Sequence, residues 1–202
     1  MSPGKLITLE GIDGAGKSTQ VRGIAAFLRG KGREVVVTRE PGGTPLGEKL
    51  RALLLSKVMD IDTETLLMFA ARREHIAQVI APALAQGRWV VSDRFTDATY
   101  AYQGSGGGMA KERIAALEHW VQAGLKPDLT LVFDVPVTVA LARLSKERPD
   151  RFESENRGYF ERVRAGYLER AAAEPGRVRV IDAHRPVDDI KILVEEIVSR
   201  LC

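Results

Sequence analysis

Leu6-Ile7-Thr8-Leu9 followed by Gly11-Ile12-Asp13-Gly14-Ala15-Gly16-Lys17-Ser18 decides the fold. The first four residues are a brief apolar run of the kind that makes a buried parallel strand. The next eight fit the pattern G-x-x-x-x-G-K-[ST], and a helical pattern over 18–30 follows at once. Strand, glycine-rich turn and helix in that order form a phosphate cradle. The glycines let backbone N–H groups turn inward around a β-phosphate, and the helix N-terminus adds partial positive charge. Lys17 then reaches the β- and γ-phosphates of a nucleotide, and the Ser18 hydroxyl is placed to ligate Mg²⁺. The expected nucleotide-binding set is Gly11, Ile12, Asp13, Gly14, Ala15, Gly16, Lys17, Ser18 and Thr19.

Working outward, four more short apolar runs occur at 35–38, 89–92, 129–133 and 178–181. Helical patterns lie between and after them, at 46–55, 64–86, 111–123, 137–148, 159–173 and 187–201. Pro82 should bend or tighten the end of the 64–86 helix, and Gly87 should stop it. This alternation predicts an α/β fold: a five-stranded parallel sheet with helices on both faces. No internal repeat or long linker divides the chain, so 1–202 reads as one domain. Residues 104–108 read as a glycine-rich tip. Residues 147–156 are charged, contain Pro149 and lack an apolar stripe, as a mobile loop between two helices would; a small lid at about 144–156 is expected.

Composition supports an ordinary globular chain with a solvated mixed surface rather than a disordered one. Of 202 residues, 45% are hydrophobic and 28% charged, and the net charge is only +3, spread along the chain. No nucleic-acid partner is expected. The sole cysteine, Cys202, has nothing to pair with in its own chain, and no apolar run reaches membrane-spanning length. A cytoplasmic protein with no membrane association is expected.

A phosphate loop says nucleotide, not reaction: small-molecule kinases, signalling GTPases and ATPase motors or switches all use one. No Asn-Lys-x-Asp guanine-reading segment occurs, and the chain is short for a motor. Several groups bear on the choice. Thr38-Arg39-Glu40-Pro41-Gly42-Gly43-Thr44 follows the second strand, at the edge where open α/β sheets bind ligands, though an ordinary strand-to-helix turn reads the same. Asp93-Arg94 follows the third strand; a carboxylate there can hold Mg²⁺ through water and an arginine can fork onto a phosphate. Thr99, Tyr102 and Gln103 can share a helical face suited to a base and a sugar, or form a plain polar surface. Phe69 and Arg73 are four apart and share a face. They read either as a base pocket or as core and surface. Arg143, Lys146, Arg148 and Arg151 lie in or beside the charged loop, where cations closing over a nucleotide would neutralise a moving phosphoryl group, or simply face solvent. The histidines His75, His119 and His184 read as structural or surface groups.

Together these segments resemble the bacterial thymidylate kinases. The phosphate loop, the 38–44 run, Asp93-Arg94-Phe95 with Tyr102-Gln103-Gly104, and Asp150-Arg151-Phe152-Glu153 with Tyr167-Leu168 carry the resemblance in order along nearly the whole chain. It implies a phosphate-loop kinase core with a lid, a homodimer, ATP as donor with Mg²⁺, and thymidylate (dTMP) as acceptor. For the acceptor it implies the set Asp13, Arg39, Pro41, Arg51, Phe69, Arg73, Arg94, Thr99, Tyr102 and Gln103. Phe69 would stack on thymine, Arg73 would bond its O4 edge, Asp13 would face the sugar, Arg94 would grip the phosphate, and Tyr102 would crowd the 2′ position. Ser18 and Asp93 would serve Mg²⁺. Because Ile12, Asp13 and Ala15 leave the phosphate loop without an arginine, catalytic charge is expected from Lys17, Arg94 and the lid residues Lys146, Arg148 and Arg151. Phe95 stands where the pattern more commonly has tyrosine.

Overall fold

The structure is a computed structural model that describes residues 4–144, 150–153 and 155–202. Its five strands are β1 (Leu6–Glu10), β2 (Val35–Arg39), β3 (Trp89–Asp93), β4 (Leu129–Asp134) and β5 (Val178–Asp182). All pair in parallel, in the order β2-β3-β1-β4-β5. Each strand runs one residue past the apolar run that marks it, and each extra residue is ionisable: Glu10, Arg39, Asp93, Asp134 and Asp182. The apolar runs bury the sheet, and these polar groups collect at its carboxyl edge, where a polar ligand can meet them.

The helices are α1 (Lys17–Gly30), α2 (Pro45–Ser56), α3 (Ile61–His75), α4 (Ala81–Ala85), α5 (Thr96–Thr99), α6 (Lys111–Gln122), α7 (Val137–Arg143), α8 (Arg157–Ala173) and α9 (Val187–Ser199). Local chemistry sets several boundaries. Thr44 caps α2 by accepting from Gly47 N at 2.9 Å, and Pro45 sits where its missing N–H costs nothing. Asn156 caps α8 through Tyr159 N at 3.0 Å. The long helix expected over 64–86 is α3 and α4 joined by a wide π turn, Ile76–Ile80. Pro82 explains it: its ring cannot sit against the carbonyl four residues back, and a π turn widens the helix there.

Two expectations are corrected. The helix expected over 137–148 ends at Arg143, and Leu144 is already extended; residues 145–149 lie outside the described residues. The 104–108 stretch is a tip only at its end, where Gly107 and Gly108 are exposed. Residues Tyr100–Gly106 continue α5 as a π-helical segment packed against α8, with Gly104 and Gly106 buried. A Cβ on Gly106 would lie 2.8 Å from Tyr159 and Val163, so glycine here serves close approach rather than a turn.

The core divides at the sheet. Adjacent residues part company: Ile7 and Val91 join a large cluster with Ile24 and Leu28 of α1, Phe160 and Val163 of α8 and Val194 and Val198 of α9. Leu6 and Val90 join a smaller one with Ile76, Ile80 and Phe95. A third cluster holds Phe69, Tyr100, Met109, Ile114 and Val121 beneath α3 and α6. The edge strands are less buried than the pattern of continuous apolar runs implies, with Val37 and Val180 exposed.

Candidate active site

The phosphate loop leaves β1 at Gly11 and re-enters helix at Lys17, capping α1 with Gly16 in the left-handed region (φ 88°). Gly14 (φ 81°) passes so close to α7 that a Cβ would lie 2.3 Å from Ala140 O. Ile12 and Ala15 turn their side chains into the core. Asp13, Gly14, Gly16, Lys17, Ser18 and Thr19 line a cavity of about 960 Å³, mouth included, with Arg39, Glu40, Arg51, Asp93, Arg94 and Arg143 opposite. Lys17 Nζ donates to Gly11 O (2.9 Å) and Ile12 O (3.0 Å). Burial, and then the neighbouring Arg94 charge, push its amine down to about 8. Lys17 thus lies on the loop's own carbonyls, where a phosphate charge would favour its protonated form.

A second cavity, about 580 Å³ with its mouth, lies beyond this one and shares Asp13, Glu40, Arg51 and Arg94 with it. Arg94 is the hinge between the two. Its Nη2 donates to Asp13 Oδ1 (2.6 Å) and Tyr102 Oη (2.9 Å), and its Nη1 to Gly11 O (3.1 Å) and Tyr167 Oη (2.9 Å). Tyr102 Oη in turn donates to Asp13 Oδ2 at 2.8 Å. Burial alone would raise the Asp13 carboxyl, but Arg94 and Lys17 hold it down at about 2. The Arg94 backbone has φ 72°, a conformation rare for a side-chain-bearing residue, held by Arg94 N donating to Leu9 O at 2.9 Å and Phe95 N donating to Glu10 Oε1 at 2.7 Å. Glu10 also accepts from Tyr167 Oη at 3.0 Å; burial and nearby Asp97 push its carboxyl up to about 8.

The rest of the second cavity is lined by Pro41, Leu55, Met68, Arg72, Phe95, Ala98, Thr99, Gln103, Asp150 and Phe152. Thus Asp13, Pro41, Arg51, Arg94, Thr99, Tyr102 and Gln103 of the expected acceptor set come together here, and Arg39 stands in the adjoining phosphate cavity, paired to Glu48 at 2.9 Å. Arg51 donates to Pro41 O at 3.0 Å, and burial and the nearby Arg39 charge push its guanidinium down.

Phe69 and Arg73 are the exception, and their expected roles are corrected. Phe69 is 2% exposed, sealed in the cluster with Ile114, and Arg73 reaches Val121 O at 3.2 Å. One position earlier on the same helix, Met68 and Arg72 line the cavity instead. A helix turns roughly 100° per residue, so a one-residue error carries an (i, i+4) pair off the face it was meant to occupy. Arg72 Nε donates to Glu40 Oε2 (2.7 Å), and Nη2 to Phe95 O (3.1 Å) and Thr99 Oγ1 (3.0 Å). Its Nη1 is buried with no hydrogen-bond partner among the described residues. His75 backs the same carboxylate: its Nδ1 lies 2.9 Å from Glu40 Oε1, and its Nε2 lies 2.6 Å from Thr38 Oγ1.

The lid expectation also changes. Lys146 and Arg148 lie outside the described residues. Arg151 lines neither cavity; its guanidinium pairs with Glu64, stacks on Phe152 at 4.2 Å and donates to Leu54 O at 3.4 Å. Glu64 is 4% exposed, and a carboxylate so buried needs a counter-charge. Among the described residues at the lid, the cation facing the phosphate cavity is Arg143, whose Nη1 lies 3.3 Å from Gly14 O. Met68, Arg72 and Glu10 escaped the sequence reading, and Glu40 and Tyr167 entered it only within motif segments and without a role, because their partners lie on other elements at no fixed spacing. The (i, i+4) periodicity of α3 was a usable signal, read one residue out of phase.

Comparison with known proteins bears on this geometry. The sequence model of the thymidylate kinase family matches residues 9–194. A thymidylate kinase of Cupriavidus metallidurans is 63% identical over 98% of this chain and 99% of its own length. One from Methylobacillus flagellatus is 61% identical over 93% of each. The crystal structure of thymidylate kinase from Ehrlichia chaffeensis superposes with a TM-score of 0.81 at 35% identity, over 98% of this chain and 99% of that one. A whole-chain match in sequence and fold, on a cleft with a phosphate cradle and a second polar cavity, establishes that the chain belongs to the thymidylate kinase family.

Proposed function

We propose that the two cavities are the donor and acceptor halves of one site, in which the γ-phosphoryl group of ATP passes to the 5′-phosphate of thymidylate, giving ADP and thymidine diphosphate. The observation that carries this reading is the shared wall of Asp13, Glu40, Arg51 and Arg94. A group bound on the phosphate loop and a group bound in the second cavity meet at those residues.

An acceptor phosphate is already ionised at neutral pH, so the reaction needs positioning and charge stabilisation more than a strong base. Lys17 leaves its carbonyl perch for the β- and γ-phosphates. Arg94 and Arg51, on the seam, orient the acceptor phosphate in line with the donor. Arg143 adds charge at the lid side, with Lys146 and Arg148 as further candidates. Asp13 holds Arg94 and faces the sugar, and Tyr102 limits room at the 2′ position. Arg72 Nη1, a buried donor without a partner, suits a base carbonyl such as O4, with Met68 packed against the ring.

The residues fit Mg²⁺. Asp93 Oδ1 is buried without a hydrogen-bond partner among the described residues and Asp93 lines the phosphate cavity with Ser18. Ser18 Oγ and Asp93, the latter through water, would hold the ion, which supplies charge neutralisation between the β- and γ-phosphates when bound. A homodimer fits the exposure of Leu46, Leu53 and Leu66 on α2 and α3. Among the described residues no helix is long and apolar enough to cross a membrane, and both substrates are cytoplasmic metabolites, which fits a cytoplasmic enzyme.

The test is a coupled ADP-release assay with Mg-ATP against a panel of nucleoside monophosphates. Fast turnover with thymidylate, slower with deoxyuridylate and little with the others is expected; folded, ATP-binding protein that turns over none of them would overturn the reading.

A further inference from the structure

Glu64 has no place in the transfer described so far, yet it is nearly buried and joins Gln103, which lines the second cavity, to Arg151, which does not. Its Oε1 accepts from Gln103 Nε2 at 2.8 Å, and its Oε2 is paired with Arg151. Arg151 is held in turn by Arg151 N donating to Leu55 O at 3.1 Å and by its stacking on Phe152.

An ionised carboxylate accepts and cannot donate, so its neighbour on Gln103 must be the NH₂ group. Arg151 supplies the counter-charge that a carboxylate so buried needs. The Gln103 oxygen is therefore the amide atom left for the cavity, where Gln103 is part of the lining and where this oxygen has no partner among the described residues. Gln103 and Arg72 thus both line the cavity, the first with its amide oxygen left over as an acceptor and the second with a buried donor, Nη1, that has no partner among the described residues. Thymine carries an N–H donor (N3) beside a carbonyl acceptor (O4). Cytosine carries the reverse: a lone pair at N3 beside an exocyclic NH₂.

We infer that Glu64 is a specificity-determining positioning residue, which locks the Gln103 amide with its oxygen toward the base and so selects an imide edge over a cytosine edge. The lock acts through Gln103; Glu64 itself touches no substrate. This inference rests on the thymidylate reading above.

The experiment compares kcat/KM for thymidylate and deoxycytidylate in the wild type, Glu64→Gln, Gln103→Leu and the double variant. A glutamine at 64 can offer either amide end, so Gln103 is free to turn over. Glu64→Gln should narrow the thymidylate preference about tenfold, the worth of one neutral hydrogen bond, through a raised thymidylate KM and with the ATP KM changed less than about twofold. On the Gln103→Leu background the same change should move the preference less than about twofold. An unchanged preference in Glu64→Gln, or an equal narrowing on both backgrounds, overturns the inference. Absence of preference in the wild type overturns the thymidylate reading instead. Should Glu64→Gln not fold, the wild type still decides: the Gln103 side-chain NH₂ protons, identified by their loss in Gln103→Leu, should resist hydrogen exchange with and without thymidylate. Free exchange in the ligand-free protein counts against the lock.

Discussion

The two halves of the cleft are built from different materials. The donor half is mostly backbone: a glycine loop, a helix N-terminus, and Lys17 lying on two main-chain carbonyls. The acceptor half is mostly side chain: Arg94, Asp13, Tyr102 and Tyr167 in one network, and Arg72, Glu40, His75 and Thr38 in another. A backbone cradle tolerates change at most of its side chains but depends on its one cation. A side-chain network spreads its function and its fragility over many positions, because each buried polar group it holds is costly to leave alone.

The sharpest break of this contrast is at Lys17. Lys17→Ala should lower kcat by about 10³ while circular dichroism and thermal midpoint stay near wild type, since Lys17 contributes charge to the transition state but in the fold rests only on two loop carbonyls. Arg94→Met should behave oppositely. Turnover should fall about 10²-fold or more, and the protein should also lose roughly 2 kcal/mol in urea unfolding, because half-buried Asp13 loses its charged hydrogen-bond partner. An Arg94 variant as stable as the wild type would show that the acceptor network is not what holds that wall.

Smaller effects sharpen the contrast. Arg72→Met should raise the thymidylate KM by about 20-fold, the scale of a hydrogen bond to a charged group, and leave the ATP KM nearly alone. Arg73→Met should change it less than about threefold; the reverse order would restore the base pocket expected from sequence. ATP binding should take up protons at pH 8.5–9, seen as a buffer-dependent enthalpy in calorimetry. There Lys17, pushed down to about 8 in the free protein, is partly neutral, and phosphate draws it back to the charged form. Proton release, or none, would contradict this.

The last effect is a pH slope set by Glu10. Its carboxyl is near 8 folded against 4.5 unfolded, so between these values the native state holds a proton that the unfolded chain lacks. Stability should therefore be full below about pH 4.5 for this group and fall as pH rises toward 8, by at most about 1.4 kcal/mol per pH unit. Glu10→Gln should flatten that slope in denaturant titrations across pH 5–8.

The same division explains what was legible in advance. A loop that must wrap a phosphate needs glycines and a lysine at set offsets from a strand, so Gly11 to Ser18 announce themselves, and the apolar runs announce the sheet. Arg94 and Asp93 were readable because they end a strand at the carboxyl edge. Arg72 was not, because nothing in the sequence fixes which face of α3 looks at the cleft, and Phe69 is the more obvious aromatic. Glu10, Glu64 and Tyr167 contact partners 39 to 157 residues away, at distances along the chain that follow no rule. The wide turns at Ile76–Ile80 and Tyr100–Gly106 were likewise hidden, since Pro82 signals a disturbance but not its form, and glycines signal a loop as readily as a tight helix contact.

The wall of Asp13, Glu40, Arg51 and Arg94 has a thermodynamic corollary. On the proposed assignment ATP and thymidylate share these four residues, and whatever factor ATP imposes on thymidylate affinity, thymidylate must impose on ATP. A single molecule joining adenosine to thymidine through a phosphate bridge of the right length would cross that wall once. It would strip water from Arg51 and Arg94 in one event rather than two, and its second half would bind at the effective concentration set by the bridge. For inhibitor design the quantity to optimise is then the length of the tether, because the pockets at its two ends are already built.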